Sequence, residues 1–255
     1  MNPLLEVSHV CYSYHTLSGE TQALTDITFS VEEGEFLAVV GPSGCGKSTL
    51  LSLLAGLMQP EQGTIHISQS PVSRRQTNIG YMLQKDHLFE WRTVYQNVIL
   101  GLEIQKRQTA ENLAHVEQML KDYGLAAFKG SRPSELSGGM RQRAALIRTL
   151  ALDPSLLLLD EPFSALDYQT RLNVCDDVYQ IIKKEKKSAI LVTHDLSEAI
   201  SMADRILILS KRPAKICRII SVQFQETELM PMKKRQAPEF KDYFNEIWKE
   251  LNSYG

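Results

Sequence analysis

Gly41-Pro42-Ser43-Gly44-Cys45-Gly46-Lys47-Ser48-Thr49 follows the apolar run Phe36–Val40 and precedes a leucine-rich stretch stopped near Gly56 and Pro60. The spacing is G-x-x-x-x-G-K-[S/T], and the flanks read as a buried strand and a helix from Lys47 to Leu57. Glycines let successive backbone N–H groups turn inward and form an anion nest. The helix N-terminus adds roughly half a positive charge. Lys47 is placed to reach terminal phosphates, and the Ser48 hydroxyl suits Mg2+. From average residue usage, a chance match in a chain this long is about one in a hundred, and the strand–helix context lowers that. The implied ligand is a nucleotide. The loop alone does not separate kinases, GTPases and ATPases.

A second feature stands downstream. Leu156-Leu157-Leu158-Leu159-Asp160-Glu161-Pro162 puts two carboxylates just past a fully apolar strand. Parallel sheets bind ligands at the carboxyl ends of their strands. Alone, this would be an ordinary polar strand end. With the phosphate loop upstream, Asp160 is placed to hold Mg2+, through water, and Glu161 to polarise an attacking water.

The remaining pattern alternates strands and helices. Thr64–Ile67 and Ile79–Leu83 read as strands, and from Thr93 to Leu152 the periodicity turns helical. Thr109 is a candidate N-cap for a helix through Tyr123, with Gly124 as its stop. Met140–Leu152 reads as a helix ended by Asp153-Pro154, Tyr168–Lys184 as a helix, Ala189–Thr193 as a strand, Leu196–Met202 as a short helix and Ile206–Leu209 as a strand. Residues after Arg212 are less regular until a helix over Glu239–Leu251. This alternation implies an α/β fold with a mainly parallel sheet, interrupted by a helical block.

Composition narrows the function classes. The chain has 255 residues, 28 Lys+Arg against 30 Asp+Glu, and a net charge of −2. That balance argues against a nucleic-acid coat or a polybasic membrane binder. No run approaches the ~20 apolar residues of a membrane span, and the N-terminus lacks a signal-peptide pattern. A cytoplasmic location is expected, with any membrane attachment supplied by a partner. Cys11, Cys45, Cys175 and Cys217 lack zinc-site spacing and are expected to be free thiols.

Leu136-Ser137-Gly138-Gly139-Met140-Arg141-Gln142-Arg143 supplies a second serine–glycine helix start. Alone it would be an N-cap. Lying between the phosphate loop and Asp160-Glu161, it resembles the signature motif of ABC-type ATPases, and the resemblance runs over roughly residues 4–215. Gln84 sits where that family has its Q-loop glutamine, facing Mg2+ and the γ-phosphate. Ser164-Ala165-Leu166-Asp167 resembles the D-loop, and His194 the switch histidine. Tyr14 is similar in position to the aromatic that stacks on adenine, with Tyr12 as the competing candidate. Met140 departs from the family's usual glutamine.

The resemblance implies a P-loop NTPase of the ABC ATPase type. Its expected ligands are ATP and Mg2+. Residues 1–85 and 155–215 would form the ATP-binding core with an N-terminal antiparallel β part, 86–154 a helical subdomain, and 216–255 a short C-terminal extension. Glu161, His194 and Lys47 would be catalytic. Ser48, Gln84 and Asp160 would face the metal. Ser137, Gly138 and Gly139 would contact the γ-phosphate bound by a second subunit, in a homodimer or a heterodimer with a related ATPase, and Asp167 of the D-loop would also be nucleotide-binding.

Within the family, Met140-Arg141-Gln142-Arg143, Phe89-Glu90-Trp91-Arg92-Thr93-Val94 with Gly101-Leu102-Glu103, and Ser210-Lys211-Arg212-Pro213 resemble nitrate/sulfonate/taurine-type importer ATPases. That branch implies integral membrane permease subunits, a periplasmic or lipid-anchored solute-binding protein, and a peripheral position on the inner face of the cell membrane. Phe89 and Trp91 then suit a groove for a permease helix, against the alternative of core packing. An exporter or a soluble ABC system is the other reading at this level.

Overall fold

The computed structural model describes residues 3–17, 19–72, 78–226 and 229–253. The chain opens with a long antiparallel pair, β1 (Leu5–Thr16) and β2 (Gly19–Val31), followed by β3 (Phe36–Val40), α1 (Lys47–Leu54), β4 (Gln62–Ile67), β5 (Ser70–Pro71) and β6 (Ile79–Met82). Helices follow: α2 (Val94–Val98), α3 (Leu100–Ile104), α4 (Ala110–Asp122) and α5 (Gly138–Leu150). Alternation then returns with β7 (Leu156–Asp160), α6 (Tyr168–Lys184), β8 (Ser188–Val192), α7 (Leu196–Met202), β9 (Arg205–Leu209) and β10 (Ile216–Ser221), before α8 (Pro231–Lys234) and α9 (Pro238–Ser253).

Two sheets result. One is four-stranded, β2-β1-β4-β5, and antiparallel; the other is six-stranded, β10-β9-β3-β8-β7-β6. All neighbours in the second sheet run parallel except β9 and β10. This is the α/β architecture anticipated from the alternation, with its antiparallel part at the N-terminus.

The central strands are apolar on both faces because both faces are covered. Leu37, Val39, Leu156, Leu158, Ile190 and Val192 point into a core shared with α1 and the antiparallel sheet. Their neighbours Phe36, Ala38, Leu157, Leu159, Ala189 and Leu191 point into a core shared with α5, α6 and α7. The four leucines of β7 are each 0% exposed, and burying each fully is worth about 1.5–3 kcal/mol. The period-two alternation of side chains across a strand produces this split.

Helix ends follow local chemistry. The Thr93 hydroxyl accepts from Gln96 N, with Gln96 reaching back to Thr93 N as a capping box. Thr109 caps α4 through Asn112 N, and Gly124 follows that helix at φ 72°. The first long helix ends at Leu54 rather than Leu57, because Gly56 at φ 68° turns the chain out of it. α5 begins at Gly138 rather than Met140, with Ser137 as its cap. The stretch expected to be irregular after Arg212 contains β10, whose Ile216–Ser221 pairs with Leu209–Arg205 and extends the sheet. Its mixed burial hides the alternation that would have marked it.

Candidate active site

β3 ends at the glycine-rich loop, and the loop delivers its lysine to the first turn of α1. Gly44 and Gly46 sit at φ 73° and 128°, conformations that a side chain would strain. Lys47 is only 6% exposed, and its Nζ donates to Gly41 O at 2.8 Å and Pro42 O at 3.0 Å. No carboxylate pairs with it among the described residues. The loop is thus a nest of backbone donors beside a buried cation, with a cavity of about 180 Å³ lined by Ser43, Lys47, Ser48 and Glu161 among others. A multiply charged anion matches that arrangement.

The parallel pairing of β7 with β8 and β6 brings the downstream carboxylates to the same edge. Ser48 Oγ donates to Asp160 Oδ1 at 3.3 Å, and Tyr81 Oη donates to Asp160 Oδ2 at 3.3 Å. Burial pushes the Asp160 carboxyl above its usual range, and the Glu161 charge adds to that, while Ser48, Tyr81 and Lys47 pull it back down. Among the described residues this buried carboxylate bonds only to neutral hydroxyls, a hard-oxygen donor set that suits Mg2+.

Glu161 lies one residue past the strand with φ 45°. Left-handed backbone in a glutamate is costly and marks a site where position outweighs strain. It is held by Glu161 N donating to Val192 O at 2.9 Å and by Ser164 N donating to Glu161 O at 3.2 Å. Its Oε2 lies 3.1 Å from His194 Nδ1 and 3.5 Å from Gln84 Nε2. Gln84 also reaches Ser164 Oγ at 3.5 Å. Tyr14 Oη is 2.9 Å from Thr49 Oγ1, in the first turn of the helix after the phosphate loop. Tyr12 packs edge-on against the Tyr14 ring at 5.2 Å.

The structure therefore gathers Tyr14, the Gly41–Thr49 loop, Gln84, Asp160, Glu161 and His194. Ser137, Gly138, Gly139 and Asp167 stand apart. Ser137 Oγ accepts from Met140 N at 3.3 Å, capping its own helix. Asp167 caps α6 through Thr170 N at 3.0 Å, a bond that holds its carboxyl below the usual range. Among the described residues, no hydrogen bond joins these four to the phosphate loop. Gly138 instead lies beside the residue that precedes Asp167: a Cβ on Gly138 would lie 2.9 Å from Leu166 Cδ2.

The family model described as "ABC transporter" matches residues 24–164 of this chain. The chain belongs to the ABC transporter ATP-binding family. The "Uncharacterized ABC transporter ATP-binding protein YtlC" of Bacillus subtilis is 48% identical to this ABC ATPase, over 98% of this chain and 96% of that protein. The nitrate import ATP-binding protein NrtD of Synechocystis is 38% identical over 95% and 93%. A dimeric, post-hydrolysis structure of the ATP-binding cassette MJ0796 bound to ADP and Pi superposes with a TM-score of 0.73 at 28% identity, covering 86% of this chain and 99% of that one. Membership makes the chain an ATPase.

Several residues that shape this ABC ATPase's site escape sequence reading. Tyr81 faces Asp160 because β6 pairs with β7 in parallel register, Tyr81 opposite Leu158. Buried Asn97 accepts from Phe89 N at 2.7 Å and donates to Phe89 O, Arg92 O and Thr93 O, fixing the loop that carries Phe89 and Trp91. Arg148 of α5 donates to Asp86 O and His87 O, both at 2.7 Å, tying that helix to the segment after Gln84. Arg171 of α6 donates to Leu166 O at 2.9 Å and lies 3.6 Å from Asp195. The available signal was an unexplained polar residue inside an apolar-periodic stretch, as for Asn97.

Proposed function

We propose that this chain is the ATP-hydrolysing subunit of an importer, powering uptake of a small nitrate-, sulfonate- or taurine-like solute across the cytoplasmic membrane. The observation that carries the reading is the division of the site. Lys47, Ser48, Asp160, Glu161, Gln84 and His194 converge at one sheet edge, whereas Ser137 and Asp167 cap helices outside it and Gly138 and Gly139 open the helix that Ser137 caps. A second subunit, identical or related, is needed to bring the two halves together.

In the proposed mechanism the loop amides and Lys47 bind the β- and γ-phosphates. Mg2+, held by Ser48 and Asp160 with Gln84, would neutralise phosphate charge when bound. Glu161 accepts a proton from the attacking water, and His194, 3.1 Å from that carboxylate, steadies the γ-phosphate side. Tyr14 supports the adenine. The partner's serine–glycine helix start supplies donors to the γ-phosphate, so ATP favours the closed pair and hydrolysis releases it. Closure is coupling because ATP binds the closed state better.

Three further features support the transporter reading. Phe89 is 36% and Trp91 70% exposed, and their rings lie 4.7 Å apart on the Asn97-braced loop. Exposed aromatics on a rigid loop suit anchoring of a permease helix. Arg148 and Arg141 tie this loop's approach, at Asp86 and His87, to the helix begun by Ser137. No described helix is long and apolar enough to cross a membrane, so the proposed place is peripheral, on the cytoplasmic face. A solute-binding protein would act through the permease. Residues 1–85 with 155–215 serve as the ATP-binding core, 86–154 as the helical subdomain and 216–255 as the C-terminal extension.

Mixing tests the shared site. Lys47→Ala and Ser137→Arg subunits should each be inactive alone. Together they should regain turnover, because one mixed-dimer interface keeps both intact halves. Neither rescue nor interference with wild-type subunits would contradict the shared site.

A further inference from the structure

One charged residue at the phosphate loop has no part in the mechanism above. Arg212 lines the same cavity of about 180 Å³ as Ser43, Gly44, Lys47 and Ser48. It is exposed, and among the described residues no hydrogen bond or ion pair engages its guanidinium. A solvated surface arginine would ordinarily need no further explanation. Two observations set this one apart.

The first is how firmly its turn is held. β9 runs parallel to β3, so its end arrives beside the start of the phosphate loop; a Cβ on Gly41 would lie 3.0 Å from Leu209 O. Ser210 then bonds across the turn, N to Lys215 O at 3.0 Å and Oγ from Lys215 N at 2.9 Å. On the far side, Ala214 N donates to Ala23 O at 2.9 Å and Ala214 O accepts from Thr25 N at 2.9 Å. The backbone carrying Arg212 is therefore pinned at both ends, which lowers the ordering cost of binding. The second is reach. Burial raises the Cys45 thiol, and the charges of Lys47 and Arg212 both draw it back, so the guanidinium field extends into the loop.

We propose that Arg212 is a further phosphate-binding residue of this site, donating from its guanidinium to the phosphate oxygens of the bound nucleotide. The planar fork suits that ligand better than an ammonium would. Because the group is exposed, its contribution is screened by salt. The proposal rests on the nucleotide reading of the Gly41–Thr49 loop.

The test is equilibrium binding of Mg-ATP and Mg-ADP to the full chain by calorimetry, at low and high salt, for wild type, R212A, R212K and K47A. R212A should raise both dissociation constants roughly 5- to 10-fold at low salt. The gap should narrow at high salt, and R212K should restore part of it. R212A affinities within twofold of wild type at low salt would overturn the proposal. So would a loss that is equal at both salts and untouched by R212K, because that marks a structural role. If wild type itself binds no nucleotide, or K47A binds as wild type does, the nucleotide reading fails instead.

Discussion

His194 Nδ1 stands 3.1 Å from Glu161 Oε2, joining residues 33 apart in sequence. β7 and β8 are parallel neighbours, and each residue follows the end of its strand. Replacing His194 by Ala should lower ATP turnover by roughly 100-fold or more, while ATP affinity changes little, because the loop and Lys47 carry binding. Steady-state hydrolysis beside calorimetric binding separates the two.

Glu198 is 3% exposed and accepts a hydrogen bond from Thr193 Oγ1 at 2.5 Å. Burial pushes its carboxyl up to about 7 from the ordinary 4.5, and the Asp195 charge adds to this; Thr193, Arg171 and His194 pull it down. The folded chain therefore holds this proton where the unfolded chain has lost it. Stability from this group is fully present below the unfolded pKa and declines as pH rises toward about 7. Glu198→Gln keeps an acceptor for Thr193 without the charge. Its stability relative to wild type should climb between pH 4.5 and 7.5, by on the order of 3 kcal/mol. Urea melts of both chains across that range would show it, and a flat difference would refute it.

Much of the fold is legible before any coordinates. The all-apolar runs Phe36–Val40, Leu156–Leu159 and Ala189–Val192 read as buried strands because both their faces are covered, leaving no polar alternation to misread. Thr109 and Gly124 mark helix ends because each satisfies or reverses backbone groups locally. β10 is not legible, since an edge strand with Arg218 exposed has no clean period. In the site, the glycine loop and the acidic strand end are visible because their chemistry lies within one short segment. Tyr81 on Asp160, Asn97 under Phe89 and Arg171 beside Asp195 arise from pairings 79, 8 and 24 residues apart, which depend on register and packing rather than local pattern.

Gly63 stands at φ 81°, and a Cβ there would lie 2.3 Å from Ser8 O and 2.4 Å from His9 O. Both oxygens are backbone of the irregular stretch of β1 that faces β4, so neither can move alone. Gly63→Ala should destabilise the chain by about 2–4 kcal/mol. Denaturant melts should show a lower midpoint with an unchanged slope.

Trp91 and Trp248 are both exposed, 70% and 56%. Trp91 sits on the Asn97-braced loop, whereas Trp248 stacks on Phe244 of α9 at 6.2 Å. Trp91→Ala should weaken binding to the proposed permease partner by roughly 30-fold or more, the scale of an aromatic anchor. Trp248→Ala should leave that affinity unchanged. Co-purification titrations with the proposed permease partner would compare them, and equal losses from both would remove the loop from the interface.

The central claim is that Glu161 activates water inside a pair closed by ATP. The most direct measurement is light scattering of the Glu161→Gln chain with Mg2+ and saturating ATP, with phosphate release counted in the same sample. The expected result is a stable dimer whose release of phosphate is at least about a thousandfold below wild type. A chain that stays monomeric, or that releases phosphate at the wild-type rate, would contradict it.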